Sequence, residues 1–238
     1  MGTCTPTSFY ENHQVPAEII SHGVWLYFQF YLNYRDVEEL LFVRGVSVSY
    51  EAIPEWCRKF GQRYANQLRR RRPRLGDKWH LDEMFLAIHG EHYYLWRGVD
   101  QEGNVPDILV LRPRDNQAAK KFFRKLLKSL TYMPRVLITD KLQSYSAAKR
   151  EILPGVEHRQ HCYLNNRAEN SHQPTRPRER CMQRFKSPGH AQRFLTASGL
   201  IAQHFRPRRH RLSAPVCRQE MKHRFQSWRE VTVPALSA

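Results

Sequence analysis

The chain has 238 residues, enough for one medium domain and a small one, with 41% hydrophobic residues and a formal net charge of +17. Such a surplus of Lys and Arg costs self-repulsion and points to a polyanionic partner, nucleic acid before a membrane surface. The longest apolar stretch, Val24–Leu32, holds Gln29 and falls well short of the ~20 residues of a membrane span. The five scattered cysteines form no CxxC pair, which excludes a disulfide framework or zinc ribbon and suits a reducing cytoplasm.

The N-terminus lacks the basic start and apolar core of a secretory signal. Residues 16–65 then read as helices only. Ile20, Val24, Tyr27, Phe28 and Tyr31 recur at helical spacing behind Pro16. Tyr34–Val43 reads as a second short helix with Val37, Leu40 and Leu41 on one face, and Gly45 ends it. Ser47 or Ser49 caps a third helix that carries Ile53 and Trp56 inward. Two short helices about a Gly-containing turn make a helix-turn-helix pattern, in which the third helix enters a major groove. A plain three-helix bundle fits the same pattern equally well. In the first reading Ser49, Tyr50, Arg58 and Lys59 are candidate DNA contacts. Pro54 falls inside this helix, removes an N–H and is expected to bend it. The run RRRRPR makes residues 66–78 an exposed basic linker. Its Arg69, Arg70, Arg71 and Arg72 are either solvated or, given the whole-chain charge, phosphate contacts.

From residue 79 the periodicity changes. Trp79–Ile88, His92–Val99 and Asp107–Leu111 read as strands, with hairpin turns at Gly90 and across Gln101–Asn104. Asp115 caps a helix to about Leu130, whose buried face holds Ala119, Phe122, Phe123, Leu126, Leu127 and Leu130. Val136–Thr139 is a continuous apolar run, the mark of a strand covered on both sides. A helix follows over Leu142–Ile152. A crossover that returns the fourth strand beside the first makes the sheet mixed and sets Asp82 and Asp140 on adjacent strands. Ala191–Phe205 suits one more amphipathic helix. The tail from Arg206, rich in proline and weakly patterned, is expected to be loosely ordered.

Three carboxylates stand out in this basic chain. Alternation places Asp82 on a face with His80 and Met84, while Glu83 points the other way with Leu81, Phe85 and Ala87. Only one of the two acids can join a shared site, and parity does not say which. Asp140 ends a buried strand, where ligand sites of layered α/β folds lie, or else caps the next helix. Glu169, in NNRAENSH, is a third ligand or a solvated partner of nearby arginines. Acids brought together repel unless a cation lies between them. Mg²⁺ suits oxygen ligands and takes few from protein. Two such ions support in-line phosphoryl transfer. Lys141, Asn166, Arg167, Arg176, Arg178 and Lys186 are the candidate DNA contacts around these acids. His172 reads as a helix-surface or phosphate-contacting residue. His158, His161 and Cys162 resemble a metal cluster only superficially, with no fourth ligand at zinc spacing.

RRRRPRLGDKWHLDEMF, YLWRGVDQEGNVPDILV, VLITDKLQSYSAAKRE and NNRAENSHQPTRPRERCMQRFKS, in this order, resemble the bacterial insertion-sequence transposases of the DDE superfamily, in the replicative, cointegrate-forming group. The likeness spans roughly residues 15–205. It implies an RNase H-like α/β core, a mixed five-stranded sheet flanked by helices, behind an all-α helix-turn-helix region. Domains follow as a DNA-binding region 1–65, a basic linker 66–78, a catalytic domain 79–205 and a basic tail 206–238. The family's triad carries over onto Asp82, Asp140 and Glu169. The resemblance also implies two Mg²⁺ ions, replaceable by Mn²⁺, and double-stranded DNA as partner, both the element's terminal inverted repeats and the target. It implies a homodimer or larger assembly on DNA, and a bacterial cytoplasmic location at the nucleoid. Its expected reaction nicks the element's end and joins the freed 3′-OH to target DNA; the alternative is a decayed copy that only binds DNA. The sequence departs from the family's pattern at Pro54 and after Phe205, which bears on end recognition rather than on the chemistry.

Overall fold

The computed structural model describes residues 14–130, 132–207 and 212–233. They fall into two compact units. One takes the described residues up to Arg71 and those from Leu200 onward; the other is Arg72–Gly199.

The first unit is all helical: α1 (Ala17–Gln29), α2 (Tyr34–Phe42), α3 (Ala52–Arg71) and α9 (Ala214–Thr232). Asn33 starts α2 with a capping box: its side chain accepts the Asp36 N–H, and Asp36 accepts the Asn33 N–H. Ile20, Val24, Val37, Leu41, Ile53, Trp56 and Phe60 are buried. Leu40, expected on the inner face of α2, is exposed. Gly61 lets α1 and α3 approach closely, since a Cβ there would lie 2.4 Å from the Phe28 ring.

Three expectations about this unit are corrected. Pro54 does not interrupt α3. The helix begins at Ala52, so Pro54 stands in its first turn, where an N–H has no intrahelical acceptor to lose. Residues 66–71 are not linker: α3 runs to Arg71. Arg69, Arg70 and Arg71 occupy its last turn, where cations complement the exposed carbonyls. The described part of the tail is not loose either. Residues 214–232 form α9, with Trp228, Val231 and Thr232 buried. Trp228 meets Tyr64 edge-on at 5.3 Å, and Arg71 bonds Glu230 at 2.7 Å. A helix held by so narrow a stripe shows little periodicity in sequence.

The second unit carries a five-stranded sheet of order β3-β2-β1-β4-β5. The strands are β1 (Lys78–Ile88), β2 (Glu91–Asp100), β3 (Ile108–Leu111), β4 (Val136–Thr139) and β5 (Glu157–Gln160). β1 pairs antiparallel with β2 and parallel with β4; β4 and β5 are also parallel. The sheet is therefore mixed, with helices beside it, the RNase H-like α/β arrangement. His89 and Gly90, both at positive φ, make the two-residue turn between β1 and β2. That turn fixes the register along the whole hairpin, including Asp82 opposite Arg97.

α4 (Asn116–Leu130) and α5 (Gln143–Ile152) cover one face. Their Phe122, Phe123, Leu126, Tyr145 and Ala148 pack with Trp79, Leu81, Trp96 and Leu137 of the sheet. α6 (Asn166–His172) meets β1 and β2, and α7 (Thr175–Cys181) and α8 (Pro188–His204) follow. The edge strand β3 is closed by a side chain. Gln192 accepts the Val110 N–H at 2.8 Å and donates to the Ile108 carbonyl at 3.2 Å, as a neighbouring strand would.

Candidate active site

The strand ladders position the two aspartates. Leu81 lies opposite Thr139 at the last paired step of β1 and β4. One residue further, Asp82 and Asp140 follow on adjacent strands. Leu142 N–H donates to Asp140 Oδ1 at 3.0 Å, so Asp140 also turns the chain into α5.

Alternation sorts the neighbours of Asp82 onto two faces. Glu83 turns toward α5, only 1% exposed, and accepts from Tyr145 Oη at 2.6 Å and from Arg114 Nε at 2.8 Å. Burial still pushes the Glu83 carboxyl above its usual range, while Tyr145 and Arg114 oppose that push. The Tyr145 hydroxyl, buried beside Glu83, is pushed well above the usual phenol value. Asp82 faces α6 instead, with its side chain 16% exposed and Oδ2 3.5 Å from His172 Nε2.

Glu169 arrives on α6, which is fastened to the sheet at both ends. Asn165, fully buried, donates from Nδ2 to the Leu81 carbonyl at 2.9 Å. Arg97, buried opposite Asp82, donates to the Ser171 carbonyl at the end of α6 and, at 3.3 Å, to Thr175 Oγ1 at the start of α7. A guanidinium with donors in a rigid fork suits such a double attachment.

Electrostatics tie the three acids together. Asp82 is pushed up to about 7, first by burial and then by the charges of Glu83, Asp140 and Glu169. Arg97 is drawn down to about 10 by burial, with the Asp82 charge opposing. His172 is held at about 3 by burial and by Arg97. Its approach to Asp82 is thus that of a neutral imidazole and not an ion pair. The expectation that His172 lies on the helix surface is corrected: it is 6% exposed and faces Asp82.

Among the described residues no three His, Cys, Asp or Glu side chains stand close enough to form a ready-made metal cage, which includes His158 and His161. The donor set still fits a hard divalent cation. Asp82, Asp140 and Glu169 supply oxygens, and the charges of Asp140 and Glu169 disfavour that of Asp82. Oδ1 of Asn165 is buried without a hydrogen-bonding partner, which suits an outer contact to a hydrated ion. Mg²⁺ keeps waters and takes few protein ligands, so substrate phosphate is able to complete its shell.

The candidate DNA contacts divide by burial. Lys141, Asn166, Arg167 and Lys186 are exposed in the second unit. Arg176 is partly exposed and donates to the Phe85 carbonyl at 2.6 Å. Arg178 is not a DNA contact: it is 2% exposed, with its guanidinium over the Phe194 ring at 5.0 Å. Arg72 is turned toward the Val105 and Pro106 carbonyls. In the first unit Ser49, Tyr50, Arg58, Lys59 and Arg70 are exposed, and Arg69 is partly so. Arg35 lies over the Tyr50 ring at 5.7 Å.

Sequence reasoning missed Arg97 and the Glu83–Tyr145–Arg114 group, and named His172 without its place beside Asp82. The hairpin register alone pointed to Arg97, a charge opposite Asp82 within a strand otherwise apolar from Leu95 to Val99.

A family model described as a DDE domain matches residues 76–208. The transposase for insertion sequence-like element IS431mec of Staphylococcus aureus is 28% identical over 177 residues, 72% of this chain and 79% of that protein. The transposase for insertion sequence element IS257 in transposon Tn4003, also from Staphylococcus aureus, has the same identity and coverage. An uncharacterized protein, pYV0051, of Yersinia pseudotuberculosis is 33% identical over 72 residues, 29% of this chain and 67% of that protein. Among solved structures, a chain of the simian T-cell lymphotropic virus intasome in complex with PP2A regulatory subunit B56 gamma gives a TM-score of 0.43 at 14% identity, over 70% of this chain and 58% of that one. No helix among the described residues is long and apolar enough to cross a membrane.

Proposed function

Because the chain belongs to the DDE transposases of bacterial insertion sequences, we propose that it nicks the ends of its element and joins the freed 3′-OH to target DNA. The observation that carries this reading is the strand register that sets Asp82 on β1 beside Asp140 at the end of β4, with α6 and its Glu169 packed on β1; the neighbouring acids also push the Asp82 carboxyl up. Asp82, Asp140 and Glu169 would hold divalent ions, Mg²⁺ or in its place Mn²⁺, together with substrate phosphate. Such ions, when bound, offset phosphate charge and make a water or hydroxyl a stronger nucleophile.

The chain's own groups have three tasks. Asp82 stands within β1 and Asp140 just past the end of β4; Asn165 and Arg97 hold α6, which carries Glu169, to the sheet beside them. Lys141 and Arg167 draw in the phosphodiester backbone. In the first step a water oxygen bonds to the scissile phosphorus and the P–O3′ bond breaks, leaving a 3′-OH and a 5′-phosphate. In the second, that 3′-OH bonds to a target phosphorus and one target P–O bond breaks. Phosphodiesters are exchanged, so no covalent protein intermediate and no outside energy are needed.

We assign end recognition to the helical region before residue 72, with α3 as its reader. A dimer or larger assembly holds two ends at once on nucleoid DNA. The binding-only alternative drew on Pro54 and the tail; with Pro54 in the first turn of α3 and α9 formed, no observation favours it. The test incubates the protein with Mg²⁺, a duplex carrying the inverted repeats that flank its gene, and a target plasmid. Nicks at the repeat ends and joined products are expected. Binding with no nick would overturn the reading, and nicks that never lead to joining would reduce it to a nuclease.

A further inference from the structure

The β1–β4 and β4–β5 pairings stop at one level, while β1 itself runs on to Ile88. The registers Leu81–Thr139 and Thr139–Gln160 put Asp82, Asp140 and His161 each one residue beyond the paired steps. The chain then makes a short 3₁₀ turn, Cys162–Leu164, before it enters α6. Tyr163 in this turn is 76% exposed.

The turn that presents it is nevertheless pinned. His161 N–H donates to the Thr139 carbonyl at 3.2 Å, and Leu164 N–H to the His161 carbonyl at 3.2 Å. His80 Nδ1 donates to the Leu164 carbonyl at 3.1 Å. The next residue, Asn165, is tied to Leu81. Leu164 beside it is also exposed, and the His161 ring lies 5.5 Å from that of Tyr163.

A large apolar surface held out to water on a fixed turn has little conformational freedom to lose when it is covered. Lys141 follows Asp140, Arg167 follows α6's first residue, and both are exposed. Aromatic faces among cations, at a rim where a phosphodiester must enter, are the means by which proteins stack unpaired bases. Enzymes acting within a duplex gain access by unstacking nucleotides, at a cost that is lowest where pairing is already broken.

We propose that Tyr163, with the His161 ring beside it, stacks on a base unpaired from the duplex next to the scissile phosphate, and so opens the element's end toward Asp82 and Asp140. This rests on the assignment of those acids to DNA cleavage. The test uses the terminal-repeat duplex with 2-aminopurine placed, one position at a time, across the cleavage junction. Fluorescence is read without divalent ion, so no chemistry is required, and binding is followed separately by anisotropy.

Wild-type protein and Y163F, which keeps the ring, raise the fluorescence at a junction position; Y163A binds but does not. With Mg²⁺, Y163A nicks paired ends about tenfold more slowly, the effect of losing one stacked base. It recovers wild-type speed on ends mismatched at the junction. No rise with wild-type protein, a rise that Y163A retains, or an equal rate deficit on mismatched ends would overturn the proposal. If wild-type protein nicks neither substrate, the cleavage assignment fails, while the fluorescence still decides the stacking.

Discussion

Asp82→Asn should stabilise the metal-free protein at alkaline pH. The carboxyl is pushed from its ordinary 3.8 up to about 7 in the native state. The unfolded chain gives up this proton near pH 4, so between about 4 and 7 the native state binds more protons and stability falls as pH rises. The group's stabilising contribution is complete below about pH 4 and gone above about pH 7. At ~1.36 kcal/mol per pH unit, the difference costs the ionised native state about 4 kcal/mol. Residual water around a side chain 16% exposed lowers this to about 2–3 kcal/mol. Urea unfolding in EDTA at pH 5 and pH 8 reads the part lost above pH 5, roughly 60% of it. Wild-type protein should lose stability between these conditions by more than D82N does, and Mg²⁺ at pH 8 should restore wild type but not D82N. Identical pH dependence in the two proteins would refute the reasoning, as would equal stabilisation of both by Mg²⁺.

Other expectations follow from the same geometry. Arg97→Ala leaves the Ser171 carbonyl without its guanidinium donor and should cost about 2–4 kcal/mol in urea unfolding. Calorimetry should then show Mn²⁺ binding more weakly than to wild type, with R97K recovering part of the loss because one donor remains. Arg178→Ala should lower stability without changing the slope of DNA affinity against salt, because the side chain is buried over Phe194. Trp228→Ala should cost about 3–5 kcal/mol in thermal or urea unfolding, since its ring fills a site against Tyr64 and Phe205.

Much of the catalytic half was legible because its strands carry strong patterns. The apolar run Val136–Thr139 announced a buried strand, and alternation separated Asp82 from Glu83. The crossover rule then set β4 beside β1, as found. β5 was not legible as a segment: Glu157–Gln160 is a polar edge strand with no apolar face to repeat. α9 stayed hidden because few of its residues are buried, and Pro54 misled because its effect depends on where the helix starts. Burial decides between a structural and a DNA-facing arginine, which is why Arg178 read like Arg176 in sequence. The resemblance chose Asp82, Asp140 and Glu169 together; spacing alone left Glu169 as one acid among arginines. Arg97 and His172 draw their meaning from neighbours far apart in the chain, Ser171 and Asp82.

The most direct measurement compares wild-type protein with D82N, D140N and E169Q on the same labelled terminal-repeat duplex, with binding and nicking read in parallel. Each variant should bind as well as wild type or better, having lost a negative charge near phosphate, and should give no Mg²⁺-dependent nick. Nicking at the wild-type rate by any one of the three would contradict that residue's assignment, and by all three the account of the site.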